Sequence, residues 1–167
     1  MKIVYEKGDV LIRESLPEDA DNLKNMRQKD MEEIWAEGHF YPSYAISESI
    51  SNSILSMTFI HKGNIVAVFG IVPDSALSKR ARVWMLTSEQ IYQTQIAFLK
   101  AGKLIIAYFL GLYPTLWNLV DARYKESIEW LKWNGAKIFD PKPYGIDNLE
   151  FSYFTIERTP SWAQPQQ

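Results

Sequence analysis

Between residues 57 and 120 the chain sets out a run of signals that leaves few folds open. MTFIH and IVAVFGIV flank Lys62-Gly63-Asn64, which reads as the turn of a hairpin, so two antiparallel strands are expected. After the polar loop 73–80, RVWML at 82–86 reads as a third strand of this meander. A long apolar helix is expected at about 93–110, followed by the strand TLWNLV at 115–120. Strand, helix and strand form a crossover unit, which needs a parallel pair and is right-handed in nearly all proteins. The sheet must therefore be mixed, and the class is α/β.

The flanking segments fit around that unit. LIRESLPEDADNLKNMRQKDMEEI predicts a strand and then a helix opened by a capping box, Ser15 as N-cap with Glu18 three residues on. Ala20, Leu23, Met26 and Ile34 supply its buried stripe. A second helix is expected from Ser43, with Ile46, Ile50 and Ile54 on one face, and the loop between the two, AEGHFYPSY, is dense in aromatics. In the long helix Ile96, Leu99, Lys103 and Ala107 share a face, with Leu104 and Tyr108 beside them. The strand 115–120 ends at the acid Asp121, and the next helix carries Ile128 and Leu131 inward and stops at Gly135. Trp130 and Trp133 share part of that helix, so at least one is expected to be exposed. Two last strands, AKIF and FSYFTIE, are separated by the turn-rich DPKPYGIDN, giving the order β-α-α-β-β-β-α-β-α-β-β. One domain over 1–158 and a flexible tail over 159–167 are expected.

Composition narrows the function classes. A chain of 167 residues, 47% hydrophobic and 14% aromatic, is an ordered globular protein that buries roughly 65–70% of its unfolded surface. A net charge of −2 with scattered basic residues supplies no field for nucleic acid. Without cysteine there is no disulfide framework, thiolate zinc site or cysteine nucleophile. His39 and His61 stand in separate segments without ligand spacing, so no metal is expected. The N-terminus lacks the apolar run of a signal peptide, and the apolar segment 104–113 is too short to span a bilayer, so a cytoplasmic protein is expected.

The order of elements over about 10–157 resembles the GNAT (N-acetyltransferase) fold. A closer likeness is to the GNAT-like proteins of short-tailed phages, the internal virion protein A group. It rests on Arg27…Asp30…Glu33, on Val83-Trp84-Met85-Leu86-Thr87, on Tyr113-Pro114…Asn118…Val120-Asp121-Ala122-Arg123, and on Trp130-Leu131-Lys132-Trp133-Asn134-Gly135. The resemblance implies a GNAT-like mixed sheet with helices on both faces, and action in the infected host's cytoplasm or in the virion. It also implies an N-acetyltransferase that uses acetyl-CoA, laid between two splayed strands, and a small-molecule or protein amine as acceptor. The backbone of Met85, Leu86 and Thr87 would hold the pantetheine, and that of Gln93, Thr94 and Gln95 the pyrophosphate. The family's phosphate loop has small residues where Gln93 and Gln95 stand, so these side chains crowd the approach, and Glu89 adds a repulsive charge.

The general-acid tyrosine that such enzymes carry falls at Leu131 here, leaving Tyr124 as a substitute or as an aromatic packed on the sheet. Asp121 is a base for the amine or a plain helix cap. Glu37 and His39 line a substrate mouth or are simply solvated. A second reading is open: a non-catalytic GNAT scaffold used in virion assembly or in binding a phage or host protein.

Overall fold

The computed structural model describes residues 2–159; the expected tail falls almost wholly outside them. In chain order the elements are β1 (Ile3–Lys7), β2 (Val10–Glu14), α1 (Asp19–Asn22), α2 (Gln28–Gly38), α3 (Pro42–Asn52), β3 (Leu55–His61), β4 (Asn64–Pro73) and β5 (Arg80–Thr87). A 3-10 turn (Glu89–Gln93) leads into α4 (Gln95–Leu112), and β6 (Thr115–Asp121), α5 (Lys125–Trp133), β7 (Lys137–Ile138), β8 (Lys142–Tyr144) and β9 (Leu149–Glu157) follow. The strands form one sheet in the order β1-β2-β3-β4-β5-β6-β9-β7, with β8 on β9. Among the described residues only β5 and β6 run parallel, as the crossover through α4 requires. Lys62 and Gly63 take the left-handed conformations, φ 49° and 77°, that a tight hairpin turn between β3 and β4 demands.

The sheet divides the apolar residues in two. On one face α4 and α5 cover Phe59, Phe69, Leu116, Val120 and Phe154; on the other α1 to α3 cover Val68 and Trp84 with Ala20, Leu23, Met26, Ile34 and Ile46. The first predicted helix is broken in two. Asn25 adopts φ 53° and Met26 bridges to Ser88, so the chain reaches β5 before α2 begins, yet Ala20, Leu23, Met26 and Ile34 are all buried. The capping box does not form: the N-cap position of α1 is Glu18, which makes no side-chain cap bond. Asp19, the first helical residue, instead accepts the Leu16 N–H ahead of the helix at 2.8 Å. Ile54 lies beyond α3 and is 64% exposed.

The face of α4 that carries Ile96, Leu99, Lys103 and Ala107 is turned outward. Phe98, Ala101, Gly102, Ile106 and Phe109 are buried, whereas Ile96, Leu99, Leu104 and Tyr108 are exposed. Both faces of α4 are apolar, so periodicity did not separate them, and packing chose the one with two phenylalanines and a glycine that admits Trp130. The apolar stretch is also longer than 104–113. By length and composition the whole of α4, mean hydropathy 1.5, could cross a membrane, although one side of it is packed on the sheet. In α5 Leu131 is buried, Trp130 stacks on Phe98 at 5.5 Å and Trp133 is 59% exposed. Gly135 ends that segment at φ 88°.

A buried ionic cluster fixes the second face. Asp19 accepts Arg13 Nη1 at 2.7 Å, Arg13 Nη2 at 2.8 Å and the Thr58 hydroxyl at 2.6 Å. Burial alone would push the Asp19 carboxyl up, but these bonds outweigh it and hold the carboxyl below its ordinary value of 3.8. Removing one partner strands a buried guanidinium. Asp19→Ala is expected to lower unfolding free energy in urea by about 3–5 kcal/mol. Because the native pKa is depressed, the wild-type advantage is present at neutral pH and shrinks as the pH falls below about 4.

Candidate active site at the splayed strands

β5 and β6 are paired at Arg80↔Thr115, Ala81↔Leu116 and Arg82↔Trp117, and diverge beyond. Asn118 opens the gap: its Nδ2 donates to Val83 O at 2.7 Å, while its Oδ1 accepts Arg82 Nε at 2.9 Å and the Leu119 N–H at 2.8 Å. The side chain thus replaces the backbone ladder at the fork.

Further along, α2 bridges the two lips. Asp30 and Glu33, three residues apart and so on one side of the helix, each accept a backbone N–H from a different strand. Asp30 Oδ2 takes the Thr87 N–H and its hydroxyl, both at 2.7 Å, and Glu33 Oε1 takes the Asp121 N–H at 3.0 Å. Arg27 neutralises Asp30 through Nη2 at 2.6 Å, and its own N–H donates to Thr87 O at 2.8 Å. Glu37, one turn on from Glu33, accepts Arg82 Nη2 at 2.9 Å and the Tyr144 hydroxyl at 3.0 Å.

A cavity of about 410 Å³ occupies the gap and extends beneath α4. Its inner wall is apolar, with Phe69, Phe98, Ile106, Phe109, Phe154 and Ile156; Arg27, Asp30 and Glu33 close it from the α2 side. Burial, with the nearby Asp30 and Asp121 charges, raises the Glu33 carboxyl from 4.5 to about 7, against the opposing pull of the Asp121 N–H. Trp130 Nε1 is buried beside the cavity without a hydrogen-bond partner among the described residues.

The residues singled out in the sequence are distributed unevenly. Met85, Thr87 and Gln95 line the cavity. The Ser88 N–H points to Val66 on β4 and the Thr87 N–H points the other way, so by strand alternation Leu86 faces β4 and Met85 directs its N–H into the gap. Gln93 and Thr94 lie on a second, outer cavity beside α4. Asp121 is fully buried and held by Arg123, with Nη2 at 2.5 Å from Oδ2. The Tyr124 hydroxyl donates to Glu32, and burial together with that bond pushes the phenol well above its ordinary value, which makes it a poor proton donor to a thiolate. His39 sits at the C-cap of α2, stacked on Trp35 and 3.0 Å from Asp147. Neither Asp121, Tyr124, Glu37 nor His39 lines the cavity. In the sequence Glu33 stands out only through the phage resemblance. The spacing Asp30, Glu33, Glu37 on the side of α2 that also carries buried Ile34 was the available signal.

A pantetheine arm fits this site: the cavity has the apolar walls and a free N–H at Met85 that such a chain needs. The residues expected to meet the nucleotide end of coenzyme A are divided: Gln93, Thr94 and Gln95 adjoin the second cavity, which Lys7 and Lys100 also line, while part of the preceding turn is already bonded. N–H groups of Ser88, Glu89, Ile91 and Thr94 are spent on Val66, Asn25, Ser88 and Ile91 carbonyls, and Glu126 stands at the exposed mouth.

No protein-family model matches the chain, and no curated protein matches it in sequence. Its structure is similar to the ribosomal-protein-S5-alanine acetyltransferase of Vibrio fischeri (13% identity, TM-score 0.68, 96% of this chain and 98% of that one). It is similar to a GNAT-family acetyltransferase of Bacillus anthracis (13%, 0.69, 94% and 98%) and to the spermidine N-acetyltransferase of Vibrio cholerae, solved with CoA and spermine (10%, 0.67, 89% and 95%).

One outcome follows from the Glu33 environment alone. The folded protein keeps a proton there that the unfolded chain has lost, so wild-type stability should fall relative to Glu33→Gln as pH rises from about 4.5 to about 7, by roughly 3 kcal/mol, and level off above. Urea midpoints at a series of pH values check this; parallel curves would refute it. Splayed strands, crossover helix and these likenesses agree: the chain has the GNAT fold.

Proposed function

We propose that the protein is an N-acyltransferase that moves an acyl group from a pantetheine thioester to a primary amine. The observation that carries this reading is a carboxyl group with a proton affinity near neutrality, Glu33, on the wall of a gap between splayed strands. Glu33 takes a proton from the incoming ammonium group. The freed amine attacks the thioester carbonyl carbon, the C–N bond forms, the C–S bond breaks, and the departing thiolate takes up the second proton that the nitrogen sheds. The Met85 N–H meets the carbonyl oxygen as charge develops on it. Asp121 and Tyr124 support the lip of the gap, while Glu37 and His39 fix the C-terminal end of α2, against β5 and β8 and beside Asp147.

The three solved relatives are acetyltransferases, and one holds CoA with a polyamine, which supports an acetyl donor and an amine acceptor for this chain. Arg27, Asp30, Glu33, Asn118, Asp121 and Arg123, six of the polar residues on which the phage resemblance rests, bond at the gap, and that resemblance is what supports a phage protein acting in the host cytoplasm or in the virion. A non-catalytic role in virion assembly or host-protein binding is favoured by one observation, the occupied N–H groups of Ser88, Glu89, Ile91 and Thr94.

Thiol release from acetyl-CoA and from acetyl-pantetheine, with a panel of primary amines, tests the reading. Release is expected with at least one donor, rising with pH to a plateau above about 7, and Glu33→Gln should lower the rate by about 10²–10⁴ without loss of fold. No release with either donor would leave the non-catalytic scaffold as the account.

A further inference from the structure

The cavity in the gap is longer than the arm that enters it. Along α4 it is lined from Gln95, exposed at the mouth, through Phe98, Gly102 and Ile105 to the buried Phe109. From Gln95 to Phe109 the helix rises about 21 Å, at about 1.5 Å per residue. A pantetheine arm has the chain length of about four residues, so even fully extended it reaches only about 14 Å. The difference leaves about 7 Å of channel beyond the sulfur. The sheet gives the same length. Phe154 pairs with Asn118, whose Nδ2 holds Val83 O, so Phe154 lies level with Val83, two residues or about 7 Å inward of Met85. Ile156, opposite Leu116, closes the end.

The two parts of the channel differ in chemistry. Outward of Met85 the lining includes Thr87, Gln95, Glu126 and Ser127, the polar neighbours that the two amides of a pantetheine arm need. The inner part is walled by Phe69, Ile106, Phe109, Phe154 and Ile156, buried side chains without a hydrogen-bonding atom. Asn118 stands at the fork between the two parts, and its amide is already spent on Val83 O and Arg82 Nε. An amide pushed into the inner part would lose its hydrogen bonds to water without replacement. A hydrocarbon gains there, by about fourfold in affinity for each methylene buried. An acetyl group is too short to reach it.

Resting on the acyl-transfer reading above, we infer that the preferred donor carries a straight acyl chain of about six to eight carbons, whose tail passes Asn118 and ends against Phe154 and Ile156. An extended alkyl chain advances about 1.2 Å per carbon, so this length fills the 7 Å or so beyond the thioester. The thioester carbonyl stays at the Met85 N–H, and the reaction keeps its balance: the C–N bond forms, the C–S bond breaks, and pantetheine leaves as the free thiol.

Thiol release by the full chain from acetyl-, butyryl-, hexanoyl-, octanoyl- and decanoyl-pantetheine, each with the same panel of primary amines, tests this. The value of kcat/KM should climb by about threefold per added methylene to a maximum at hexanoyl or octanoyl, and drop at decanoyl. Ile106→Phe, which fills the inner end, should lower the hexanoyl-to-acetyl ratio of kcat/KM by about tenfold, with circular dichroism showing that the variant folds. If it does not fold, the wild-type series decides alone. A series that is highest at acetyl, a series that is flat through decanoyl, or a folded Ile106→Phe with an unchanged ratio overturns the inference and leaves acyl transfer standing. Release from none of the donors overturns both readings.

Discussion

Two carboxylates one helical turn apart hold this structure's central feature open. A sheet whose neighbouring strands diverge leaves backbone N–H groups facing a gap, and buried N–H groups without partners are costly. In this chain Asp30 satisfies Thr87 on one lip and Glu33 satisfies Asp121 on the other. The helix that carries them is thereby fixed across the fork, and Asn118 finishes the job at the point of divergence. Remove these bonds and the strands would gain by closing their ladder, which would eliminate the cavity.

The same arrangement explains the chemistry available there. A carboxylate used as a backbone acceptor in an apolar wall, near other acids, is a carboxylate with raised proton affinity. Arg27 pairs with Asp30 at 2.6 Å, whereas Glu33 makes no ion pair among the described residues. Two acids with similar positions on one helix thus differ in role because only one has a cation.

The fold was legible in the sequence where signals were both local and redundant. The hairpin at Lys62-Gly63 and the strand-helix-strand crossover each allow few geometries, and both are present. Reading failed where two solutions were locally equal. α4 is apolar on both sides, so its buried face depended on the cavity and on Trp130 packing against Gly102. The predicted first helix carried a good cap signal at Ser15, but tertiary contacts, the Arg13–Asp19 pair and the Met26–Ser88 bridge, overrode it. The site was half legible. Asp121 marks the end of β6 as its sequence implied, but only its N–H faces Glu33; the carboxylate is engaged with Arg123. Glu33 was hidden because its significance lies in a partner eighty-eight residues away.

The account turns on the state of one side chain. A carbon-detected NMR titration of the Glu33 carboxyl, assigned by comparison with Glu33→Gln, measures it directly. A midpoint near 7 is the predicted result. A midpoint in the ordinary glutamate range, about 4.3, would contradict the account, because Glu33 would then be a plain carboxylate bridging two strands and not a base poised at the gap.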